Sequence, residues 1–119
     1  AASVALAVID VIEGEGLLAK AGEIGAYLPA AVASAVPDGA IVAARGRGCL
    51  WGFELVAGID SGDVAVRMIG EGVLCSTAGP GVIRMSPPLI ASTAECDRAA
   101  AALGTALAAC MAVAQEVPA

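Results

Sequence analysis

The sequence contains no histidine. That removes the usual general base near neutral pH, so neither a Ser-His-Asp nor a Cys-His machine can be assembled from it. It also removes half of the common Cys/His zinc sites, and Cys49, Cys75, Cys96 and Cys110 include no C-x-x-C pair. These cysteines read as reduced, buried or idle thiols of a cytoplasmic protein, although spacing alone leaves a disulfide open. No metal site is expected.

Aromatics make up only 3% of the chain. The core must therefore be packed from Ala, Val, Leu and Ile, with Tyr27, Trp51 and Phe53 as its few large bodies. Basic residues are scarce as well, 6 against 12 acidic, for a net charge of −6. Nothing here neutralises a run of phosphates or tethers the chain to an anionic membrane, so nucleic acid and membrane partners are not expected. Lys20 is the single lysine. It lies in a polar helical stretch, with neither the desolvation nor the neighbouring cation that activates an amine.

Two further features are missing. The N-terminus lacks the basic n-region of a signal peptide. The best candidate for a membrane span, residues 99–115, is uncharged but alanine-dominated, and Gly104 and Thr105 interrupt it. It reads as a buried or half-buried helix of a water-soluble protein.

What is present is one domain's length, 119 residues, 59% of them hydrophobic. So much apolar content with so little charge implies that part of the surface meets another domain or subunit. The pattern alternates helix and strand. Residues 1 to about 13 read as a helix with Val4, Val8, Val11 and Ile12 on one stripe, ended by Gly14 and Gly16. It starts without an N-cap, as a piece of a longer polypeptide would. A second helix is predicted from 17 to about 36 on the spacing of Leu17, Ala21, Ile24, Leu28 and Val32. Pro29 should kink or shorten it.

After the turn Pro37-Asp38-Gly39, strands are predicted at 41–45 and 49–56, antiparallel to one another. Asp60 or Ser61 should cap a short helix that ends at Gly70 or Gly72. Residues 72–76 and 82–85 are further strand candidates. Ser92 or Thr93 should cap a last helix to about 114, with Glu95 in its first turn. The fold class is α+β, a small, mostly antiparallel sheet packed against helices.

Few of the polar residues suggest chemistry. Arg45-Gly46-Arg47-Gly48 does not match the dinucleotide fingerprint, because the glycines at 46, 48 and 52 put the third one place late. It is not a P-loop either, and reads as a hairpin with outward arginines. Asp10, Glu13 and Glu15 form a solvated face, and Asp60 and Asp63 flank a helix start. Glu54 points away from Phe53 and Leu55, either to water or to an arginine such as Arg47.

Arg84 stands apart. It lies in Val82-Ile83-Arg84-Met85, between Gly79-Pro80-Gly81 and Pro87-Pro88. One reading is a surface or ion-paired arginine on a short edge strand. The other is a bidentate clamp on a carboxylate, held at low entropic cost by the flanking prolines.

Several segments in order carry a family resemblance over essentially the whole chain. They are Ala5-Leu6-Ala7-Val8-Ile9-Asp10-Val11-Ile12-Glu13, Arg45-Gly46-Arg47-Gly48-Cys49-Leu50-Trp51-Gly52-Phe53-Glu54-Leu55, Gly72-Val73-Leu74, Val82-Ile83-Arg84-Met85-Ser86-Pro87-Pro88-Leu89-Ile90 and Thr93-Ala94-Glu95-Cys96-Asp97-Arg98-Ala99. Together they resemble the C-terminal small domain of class III pyridoxal-phosphate aminotransferases of the acetylornithine/ornithine group.

The resemblance implies that residues 1–119 are that small domain. It implies a cytoplasmic homodimer moving an amino group between N-acetylornithine, or a related ω-amino donor, and 2-oxoglutarate in arginine biosynthesis. It makes Arg84 the binder of the substrate carboxylate. The family's cofactor lysine, its pyridine-nitrogen aspartate and its phosphate-binding residues belong to the large domain. On that reading no catalytic or cofactor-binding residue lies in this chain, and the fragment alone is inactive. A non-catalytic α+β module that binds a small carboxylate or mediates dimerisation is the alternative.

Overall fold

The computed structural model describes residues 1–116. Helix α1 (Ala2–Gly14) is followed by α2 (Leu17–Ala35), then by the hairpin β1 (Ile41–Arg47) and β2 (Leu50–Leu55). Helix α3 (Ser61–Gly70), strands β3 (Ser76–Thr77) and β4 (Val82–Met85), and helix α4 (Thr93–Glu116) complete the order. The strands form one antiparallel sheet in the order β1-β2-β4-β3. This is the expected α+β architecture.

The sheet has one covered and one open face. Phe53 and Leu55 on β2 and Ile83 and Met85 on β4 are buried. They join a single core with Ile24, Leu28 and Val32 of α2, Val64 and Met68 of α3, and Leu103 and Leu107 of α4. Because side chains alternate along a strand, their neighbours Gly52, Glu54, Val82 and Arg84 belong to the opposite face.

Helix α2 runs unbroken through Pro29, against the expected kink or shortening. Pro costs a helix interior about 3 kcal/mol, but Leu28 and Val32 on either side of it are 1% exposed. Their burial outweighs the lost hydrogen bond. Helix α4 is long and apolar enough to cross a membrane by length and composition, yet Leu103 and Leu107 are fully buried in the core.

The caps agree with the sequence. Asp60 accepts hydrogen bonds from the backbone N–H groups of Gly62 and Asp63 at the start of α3. At α4, Ser92 Oγ accepts from Glu95 N–H while Glu95 Oε2 accepts from Ser92 N–H, a reciprocal capping box.

The predicted strand at 72–76 is a correction. Gly72 sits at φ +81, and its N–H goes to Ile69 O while that of Val73 goes to Met68 O. This is a Schellman closure of α3, so the backbone donors that a strand would need are already engaged. Only Ser76 and Thr77 pair with β4.

Where α2 and α4 meet, Gly104 permits contact at backbone distance. A Cβ placed there would lie 2.2 Å from the carbonyl oxygen of Ala35. The obstacle is main chain, so a helix must move. Gly104→Ala is expected to lose about 2 kcal/mol, an overpacking cost reduced by alanine's better helix propensity. Thermal denaturation of the full-length variant checks this.

Helix α1 has no buried residue. It projects from the rest and stretches the molecule to 58 × 29 × 23 Å, with a radius of gyration of 16.0 Å. A compact chain of this length has a radius near 13–14 Å, roughly. Val4, Leu6 and Val8 are more than half exposed, and they carry much of the apolar surplus seen in the composition.

Candidate functional site

The hairpin register builds the site. The turn is Gly48-Cys49, with Gly48 at φ +57, and Arg47 pairs with Leu50. Trp51 Nε1–H donates to Gly48 O at 3.0 Å and closes the turn. From there the pairing runs Arg45↔Gly52, Gly52↔Arg84 and Ser76↔Arg84. Arg45, Gly52, Arg84 and Ser76 therefore form one row across the open face of four strands, about 4.8 Å from strand to strand.

Glu54 lies on the same face, diagonally across from Arg45. Arg45 Nη2 donates to Glu54 Oε2 at 2.6 Å. Of the two readings of Glu54, water or an arginine such as Arg47, the arginine holds, and the register explains why it is Arg45. Glu54 pairs with Ala43, so Arg45 is two residues away along β1 and Arg47 is four. At 70% exposure for Arg45, the ion pair adds little stability. Its effect is on charge, since it compensates both groups.

Arg84 is left without a carboxylate among the described residues, where the Arg45–Glu54 pair is the one salt bridge. Its Nε donates to Ser76 Oγ at 3.1 Å. Nor is it on an edge, because β4 lies between β2 and β3. Of the first reading of Arg84, the exposed position stands, while the edge strand and the ion pair do not. An exposed guanidinium on an interior strand, uncompensated and held through Nε, is suited to a planar anion.

Ser76 is the site residue that the sequence did not single out. The only signal was the Gly79-Pro80 turn between two short polar-apolar runs, which marks a tight hairpin. Arg45 and Glu54 were legible as polar hairpin residues, but their pairing with one another was not.

Other groups do not join the row. A cleft of about 290 Å³ is lined by Met85, Pro87, Pro88, Glu95, Cys96 and Arg98, among others. It opens beside Met85 on the covered side of β4, so it is not Arg84's surroundings. All four cysteines are free. Burial pushes the thiols of Cys49, Cys75 and Cys96 up from their ordinary value, which keeps them protonated and weakly nucleophilic. Lys20 is exposed on α2 and lines none of these features.

The family model described as Aminotransferase class-III matches residues 1–107. The chain belongs to the class-III aminotransferases.

Within that family, acetylornithine aminotransferase 1 of Bordetella bronchiseptica is 46% identical over 101 residues, covering 82% of this chain and 25% of that protein. The L-lysine-epsilon aminotransferase of Mycobacterium tuberculosis is 35% identical over 102 residues, covering 84% of this chain and 23% of its own length. The ornithine aminotransferase of Toxoplasma gondii, whose active site is partly occupied by pyridoxal phosphate, matches with a TM-score of 0.81 at 26% identity. That match covers 95% of this chain and 27% of the Toxoplasma one. This class-III chain thus spans about a quarter of the length of its relatives.

Its own residues do not fit pyridoxal phosphate. A Schiff base needs a desolvated amine, and the one lysine stands exposed on a helix.

Proposed function

We propose that this chain is the C-terminal small domain of an aminotransferase and supplies the carboxylate-binding side of its active site. The observation that carries the proposal is Arg84, an exposed cation on an interior strand with no acidic partner among the described residues. Two parallel N–H···O bonds from its guanidinium would hold the α-carboxylate of an oxo acid such as 2-oxoglutarate and fix the direction of the carbonyl beside it. The charge is worth most once the rest of the enzyme excludes water from this face.

Pyridoxal phosphate supplies the electron sink for amino transfer when bound. On this reading it is held by the part of the full-length enzyme that the relatives have and this chain does not span. The fragment alone is then inactive. N-acetylornithine is the favoured donor, since the acetylornithine aminotransferase from Bordetella is 46% identical and the lysine aminotransferase 35%. The proposal extends to arginine biosynthesis in the cytoplasm and to a homodimer, with the bare apolar side of α1 as a surface suited to burial.

The test is an amino-donor panel. Full-length protein with pyridoxal phosphate and 2-oxoglutarate should turn over N-acetylornithine with a higher kcat/KM than ornithine or lysine. A preference for lysine would overturn the donor assignment. No turnover with any ω-amino donor would overturn the aminotransferase reading and leave a non-catalytic module.

A further inference from the structure

We propose that Ser76 is the positioning residue of Arg84, with Gly52 keeping the opposite side of the guanidinium open. The inference rests on the reading of Arg84 as a carboxylate clamp. Ser76 and Arg84 are paired directly across β3 and β4, so their side chains rise from the same face at the same level. The Ser76 hydroxyl accepts from Arg84 Nε at 3.1 Å.

The atom engaged is what matters. A guanidinium has five N–H donors in a fixed fork. Held at Nε, it keeps its two terminal nitrogens for the paired bonds that a carboxylate accepts. Arginine otherwise loses much rotamer freedom when it binds. A partner already in place removes part of that loss before the ligand arrives. A neutral hydroxyl does this without cancelling the charge, which an Asp or Glu at position 76 would do. The carboxylate on this face, Glu54, is occupied by Arg45.

Gly52 contributes by having no side chain. It stands between Arg45 and Arg84 in the row. A Cβ there would be in ordinary contact, 3.4 Å from Val82 Cγ1 and 3.8 Å from Arg45 O. A longer side chain would extend into the lane beside Arg84. The lane and the hydroxyl flank the guanidinium on its two sides.

The experiment is steady-state kinetics on the full-length holoenzyme with 2-oxoglutarate varied. Ser76→Ala should raise the KM for 2-oxoglutarate about three- to tenfold, the worth of one ordinary hydrogen bond, because the hydroxyl acts on the ligand only through Arg84. Its kcat should stay within about twofold, since uniform binding is what is lost. Ser76→Thr keeps the hydroxyl and should restore KM to near wild type.

In an Arg84→Ala background, Ser76→Ala should add nothing further, because the two act as one unit. If Arg84→Ala raises KM and Ser76→Ala does not, the positioning role is overturned and the clamp stands. If the two effects multiply, or if Ser76→Thr is as impaired as Ser76→Ala, the hydroxyl does not act through Arg84 and the inference falls. If Arg84→Ala leaves KM unchanged, the clamp itself falls and the inference with it.

Discussion

Arg84→Ala in the full-length enzyme is expected to raise the KM for 2-oxoglutarate by about 10- to 100-fold. The size follows from what is removed. The bidentate contact to one carboxylate is lost, and counted as a single interaction with a charged group it contributes about 1.5–3 kcal/mol, roughly a factor of 10 to 100. Arg84 has no carboxylate partner in the described structure, so no broken ion pair inside the protein offsets the loss. Arg84→Lys should recover only part of it, because an ammonium is a point charge without the planar fork. The sheet itself should change little, since the Arg84 side chain is exposed and its one hydrogen bond, to Ser76, is exposed too. An unchanged thermal midpoint beside the raised KM would separate binding from stability. An unchanged KM would refute the clamp.

Phe53→Ala is expected to be the most destabilising single truncation, at about 3–5 kcal/mol. Phe53 is 1% exposed and is the largest fully buried side chain. It stacks with Trp51 at a centroid distance of 6.4 Å and pairs with Ile83 across β2 and β4. With only three aromatics in the chain, no neighbour can fill the space it leaves. A loss of that size is a large share of a typical stability of about 5–15 kcal/mol. Urea denaturation followed by far-UV circular dichroism measures it, and a loss below about 1 kcal/mol would show that the core collapses around the gap. Because Ile83 precedes Arg84, the variant should also loosen the clamp.

Much of the fold was legible because its signals are local. The cap at Asp60, the Ser92-Glu95 box and the hairpin glycines each act within four residues of one another, and all are found where the sequence placed them. The errors arose where tertiary packing decides. Pro29 is tolerated because its helix neighbours are buried, which no local rule reports. Residues 72–76 looked like a strand because Val73 and Leu74 are apolar. Gly72 instead closes α3, and Leu74 is 83% exposed.

The site was legible in part. Arg84 was singled out by its odd placement between glycines and prolines. Its neighbours were not, because β4 reaches β2 only after α3 intervenes, and that register is set by the shared core and not by a turn. The Arg45–Glu54 pair depends on where one hairpin turn falls, and a shift of one residue would have exchanged the faces.

The bare helix α1 has a consequence for how the molecule comes apart. A helix of 13 residues with nothing buried is at the margin of independent stability in water. Ile24 of α2, at 5% exposure, is the first residue along the chain in the core cluster. The cooperative unit therefore begins at α2. What precedes it is expected to open at lower free-energy cost than α2 and α4, which hydrogen exchange would show as weaker protection of α1. The order of α1 is thus a property of whatever covers it.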